Sequence, residues 1–138
     1  MSSLHASAAA SPTRRVLHQG SIGMFLGGGL LSLGAFLPWV LTPLGNHSGM
    51  GGPGLWVLCA GVIAIAGGLL PYRTLALVHA LVPAAVSGIL VGWQCVHLIQ
   101  LSAATDSWGK ALPGIGMVLV AGGVVLLLRA ARRIRTAT

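Results

Sequence analysis

The side chains able to do chemistry gather in one apolar run, Gly92–Leu101, which holds Trp93, Gln94, Cys95, His97 and Gln100. Imidazole ligates heme iron, and His, Gln and Trp together can hold a quinone by its carbonyl oxygens and ring face. At 100° per residue, His79 and His97 share a helix face with Pro83, Val86, Leu90 and Trp93. Gln94 and Gln100 flank His97 on either side. About 27 Å of helix separates the two histidines, so they cannot ligate one heme. No other apolar segment offers a second axial imidazole. The competing reading is structural: His97 and Gln100 are wetted at a headgroup boundary while Gln94 bonds to a neighbouring helix. This structural reading is preferred, with no cofactor, and a quinone or heme site is the alternative.

Other chemistry lacks its parts. The chain has one acidic residue, Asp106, between the third and fourth apolar segments. Paired-carboxylate hydrolysis, carboxylate-held metals and a Ser-His-Asp triad therefore have no constellation here. Ion-coupled transport that carries its charge on an intramembrane carboxylate lacks that group as well. Cys59 and Cys95 form no C-x-x-C redox pair. They fall at similar depths on adjacent segments, where they either bridge or simply fill space as thiols.

The elements that position these residues are helices made for lipid. The chain is 55% hydrophobic and 7% charged, with mean hydropathy +0.90, whereas soluble domains carry about a quarter charged residues. The expected fold is an all-α four-helix transmembrane bundle with spans at 21–41, 54–70, 75–101 and 111–128, about the length a bilayer core requires. Residues 1–19 read as a mobile cytoplasmic arm and 129–138 as a basic cytoplasmic tail. Arg14 and Arg15 ahead of the first span faintly match a twin-arginine export signal, but three more apolar segments follow and no A-x-A site does. Residues 42–53 read as a loop, and Pro83 is expected to kink the third helix.

Twenty-one glycines supply the small residues by which membrane helices approach closely. Four-residue spacing marks the packing stripes: Gly23 and Gly27, with Gly28 and Ser32 one position over; Ala60, Ala64 and Gly68; and Ala80, Ala84, Gly88 and Gly92. Gly27-Gly28-Gly29 lacks the Lys-Ser/Thr of a phosphate loop.

Charge sets the orientation. With both termini cytoplasmic, all seven arginines lie inside and only Asp106 and Lys110 outside, which is the positive-inside bias. Trp39, Trp56 and Trp108 then mark the outer interface and Tyr72 the inner one. The expected location is the plasma membrane, multi-pass. Arg129, Arg132, Arg133 and Arg135 are placed to hold anionic headgroups at about 1 kcal/mol each. Basic residues at segment ends, and not in one groove-sized patch, exclude nucleic acid as a partner. The bilayer and other membrane subunits, or further copies of the chain, are the expected partners.

A sixty-residue shift superposes Pro53-Gly54-Leu55 on Pro113-Gly114-Ile115, which reads as two tandem helical hairpins in parallel repeat. The Gly-rich first helix ending in Phe36-Leu37-Pro38-Trp39, the Gly/Pro outer loops and the arginine tail resemble small uncharacterised four-helix membrane proteins of high-GC actinobacteria. That resemblance implies a non-catalytic accessory or interaction subunit of a larger membrane complex. An oligomeric transporter or channel is a further alternative; small multidrug transporters share the size, but the acidic residue of their first helix is absent here. A holin or phage-encoded exclusion protein is another.

Overall fold

The computed structural model describes residue 17 and residues 19–137. The expected arm, with Arg14 and Arg15, otherwise lies outside the described residues. Four helices form: α1 (Ser21–Phe36), α2 (Gly54–Gly68), α3 (Arg73–Ala104) and α4 (Ile115–Thr136). They run in a ring, α1 against α2 and α4, and α3 against α2 and α4. By length and composition α3 and α4 are able to cross a membrane; α1 and α2 are apolar but shorter.

Seven-residue periodicity holds the ring together. The buried residues of α1 include Ser21, Met24, Gly28, Leu31 and Ala35, and those of α2 include Gly54, Val57, Gly61, Ala64 and Gly68, both at alternating three- and four-residue steps. On α4 the same alternation runs through Gly116, Val120, Gly123, Leu127, Ala130 and Ile134. Steps averaging 3.5 residues keep a seam facing its neighbour, whereas steps of four rotate it by about 40° each time.

Three expected boundaries are corrected. The first apolar segment does not stay helical to residue 41: Leu37 is extended, and Pro38–Thr42 forms a strand, β1. Pro38 has no amide hydrogen to give a helix and biases Leu37 toward extended backbone. Residues 42–53 are not a plain loop. They hold β2 (Gly45–Ser48) and a 3-10 turn at Gly49–Gly51. Finally, the basic tail is helical as far as Thr136, because Ala130, Ala131 and Ile134 lie buried between its arginines.

β1 pairs antiparallel with β2 and with a two-residue strand β3 (Leu112–Pro113), giving the order β2-β1-β3. This sheet caps one end of the ring. The register shifts between Pro38 and Val40, and a bulge of this kind re-aims the intervening side chain. Trp39 is therefore turned inward, 2% exposed, with its indole N–H donating to Gly34 O at 2.9 Å. Trp56 and Trp108 lie exposed, at 68% and 63%. Glycines make room for the indole: a methyl on Gly116 would lie 2.9 Å from Trp39 Cδ1, and one on Gly49 would lie 2.7 Å from it.

At the opposite end Arg73 joins the α2–α3 turn to α4. Its Nε donates to Ile134 O at 2.8 Å and its Nη2 to Arg135 O at 2.6 Å. The guanidinium thus satisfies carbonyls that the last turn of a helix leaves open. Because β3 starts α4 at the capped end, Arg73 and the arginines of α4 lie toward one end of the molecule, with Asp106 and Lys110 toward the other.

Candidate functional site

The buried side of α3 carries Ala76, Ala80, Pro83, Ala84, Ser87, Leu98 and Ser102, with Val91 and Gln94 half-buried between them. Pro83, in line with His79 at four-residue spacing, is fully buried, and α3 continues through it as one helix. The expected small stripe does not hold one neighbour along its length. Ala80 and Ala84 are buried, whereas a methyl on Gly88 would meet only Val124 Cγ1, at 3.7 Å, and Gly92 is exposed with no atom within 4 Å of where its methyl would be. Three four-residue steps from Ala80 to Gly92 rotate the stripe by about 120°, carrying it off the seam.

Trp93, His97 and Gln100 lie on the exposed side of α3; Trp93 is 70% exposed. Neither His97 nor the two glutamines hydrogen-bonds to any described residue through its side chain. Gln94 is half-buried and stands apart from the exposed three. His79, expected on the same face as His97, is half-buried; its Nδ1 lies 2.8 Å from Leu75 O, and its Cβ packs over Gly67 of α2. The structure therefore gathers Trp93, His97 and Gln100 as an outward patch and gives the two histidines different surroundings. Among the described residues, no three His, Cys, Asp or Glu side chains come together as a metal site.

The two cysteines are not bridged. Both are free and exposed, and Cys95 Sγ lies 3.6 Å from Met117 Sδ of α4. Nearby, Cys95, Leu98, Ile99, Ser102, Trp108 and Pro113 are among the residues lining a cleft of about 250 Å³ beneath the α3–α4 connection.

Elsewhere the glycine stripes meet helices at backbone distance. A methyl on Gly23 would lie 3.0 Å from Ala130 Cβ, and one on Gly27 would lie 2.9 Å from Leu127 Cγ, so both face α4. Gly28 faces α2, where its methyl would lie 2.7 Å from Gly61 O. Ala60, Ala64 and Gly68 are all buried on α2. Sequence reasoning missed Gly34, Gly61, Gly116 and Gly123, whose signal is the seven-residue spacing Gly20, Gly27, Gly34, then Gly54, Gly61, Gly68, and Gly116, Gly123, Ala130. Methyls on Gly34 and Gly116 would lie 2.8 and 2.7 Å from each other's carbonyl oxygens, and those on Gly27 and Gly123 would lie 3.0 and 2.8 Å from theirs.

Of the four basic residues on α4, Arg129, Arg132 and Arg135 line one groove with α3, while Arg133 is not among its lining residues. All four are exposed. Comparison with protein-family models, with curated proteins and with solved structures yields no match to this chain.

Proposed function

We propose that the chain is a four-span membrane protein, with both termini cytoplasmic, that acts as a non-catalytic accessory subunit and docks on other membrane subunits through the outward side of α3. The observation that carries this reading is that side itself. Trp93, His97 and Gln100 face away from the ring with no partner in it, and Gly92 beside them leaves open space where a foreign helix can approach. Unpaired polar groups on an apolar helix need partners in or near lipid, and small residues admit them closely.

The lipid setting is supported by apolar side chains exposed on every helix, including Ile22, Leu33, Leu55, Ile89, Val118 and Val125. Large apolar side chains left exposed in this number mark a membrane or partner contact. The arginines toward one end support the cytoplasmic placement of that end.

The test is purification from native membrane. Gly92→Leu and Trp93→Ala release a co-purifying partner while leaving the isolated chain at least as stable as before. If both variants keep the partner, this docking surface is wrong. A Soret band or co-extracted quinone lost on His97→Ala would replace the reading with a cofactor-holding one, and solute flux in liposomes containing this chain alone would replace it with transport.

A further inference from the structure

The groove between the first turns of α3 and the last turns of α4 has a volume of about 490 Å³ and two chemically distinct parts. Leu77 and Leu81 of α3 with Val125 and Leu128 of α4 make an apolar floor, and Arg129, Arg132 and Arg135 line the side toward the end of α4. These guanidiniums have no hydrogen-bond or ion-pair partner among the described residues, and the only carboxylate side chain in the sequence, Asp106, lies toward the opposite end. Arg73, which closes the same end, is already engaged with the carbonyls of Ile134 and Arg135.

We infer that this groove is a binding site for an anionic glycerophospholipid, with an acyl chain along the leucines and the phosphate held by Arg129, Arg132 and Arg135. The inference rests on the membrane reading above. Arginine presents a planar fork of donors that matches a phosphate, and its aliphatic stem lies along apolar surface while the head reaches outward. Spacing of three residues sets the guanidiniums along a row inclined to the helix axis, over an axial span of roughly 9 Å. A phosphate ester alone would use the arginines and leave the floor empty; a neutral lipid would use the floor and leave three cations unpaired. An anionic lipid satisfies both.

The experiment uses the full chain purified in non-ionic detergent, titrated with phosphatidylglycerol or phosphatidylcholine in mixed micelles, with bound lipid read by native mass spectrometry. Phosphatidylglycerol is expected to stay bound where phosphatidylcholine is stripped. Arg129→Gln, Arg132→Gln and Arg135→Gln each weaken it roughly fivefold, while Arg133→Gln, of equal charge change but outside the groove, leaves it in place. Leu81→Trp, which fills the floor, removes the lipid without changing the charge. Circular dichroism confirms the helix content of each variant.

Equal loss on Arg133→Gln overturns the site in favour of diffuse attraction, and displacement of the lipid by excess inorganic phosphate overturns it in favour of a free anion. A chain that alkaline carbonate strips from membranes defeats the membrane reading itself. A chain that resists carbonate yet shows no preference for phosphatidylglycerol defeats only the lipid site.

Discussion

At the scale of single residues, the same substitution should have opposite effects at two glycines. Gly34→Ala puts a methyl 2.8 Å from Gly116 O and 2.7 Å from Val120 Cγ2, so it should lower stability by about 1–3 kcal/mol as the helices are forced apart. Gly92→Ala meets nothing within 4 Å and should raise stability by about 0.5–1 kcal/mol through helix propensity alone. Thermal unfolding of the two variants in detergent checks the sign. Trp39→Phe keeps a ring in the cap but leaves the buried Gly34 carbonyl without its indole N–H, at a cost of about 1–3 kcal/mol by the same measurement. Ser87 makes the contrasting case. Its hydroxyl is buried with no hydrogen-bond partner among the described residues, so Ser87→Ala should raise stability, by about 1 kcal/mol at most, and with it the unfolding midpoint.

At the scale of elements, Arg73 ties a turn to a helix end more than sixty residues later. Arg73→Ala should leave the seam of α4 intact and fray its last turn, which hydrogen exchange at residues 133–137 will report as faster than in the parent chain. Much of the helical layout was legible, because Gly, Pro and Tyr-Arg punctuation brackets each apolar run. The strand β1 was not, since Pro-Trp-Val-Leu-Thr continues the hydrophobicity of α1 without interruption. Nor was the packing period: four-residue pairs such as Gly23 and Gly27 are conspicuous, whereas Gly20, Gly27 and Gly34 at seven-residue intervals stand out only against Gly116, Gly123 and Ala130 on a helix almost the whole chain away. The outward patch on α3 could be named but not oriented, because the face a helix buries depends on two neighbours whose positions no local pattern specifies. The lipid groove was half legible. Its arginines are plain in the sequence; that Leu77 and Leu81 lie beside them required α3 to be set against α4.

At the scale of the whole molecule, the sheet cap and the arginine end divide the surface into two poles. Under the four-span reading, Ser48→Cys in β2 should react with a membrane-impermeant maleimide added outside intact cells, while Thr136→Cys should react only after the membrane is opened. Labelling of both from one side would exclude that orientation. α1 and α2 are roughly 24 and 22 Å long, less than the hydrocarbon thickness of a typical bilayer. Under the same reading, lipid thins beside them or a partner covers the mismatch.

The meeting of Gly27 with Gly123 also sets an order of assembly. The seam between α1 and α4 brings together residues from opposite ends of the described chain, so the ring closes only once α4 has been synthesised. Until then the glycine side of α1 presents bare backbone to whatever lies beside it. Another nascent copy offering its own α4 at that moment can occupy the seam, so crowded synthesis should yield exchanged dimers whose interface is the one the monomer uses to close.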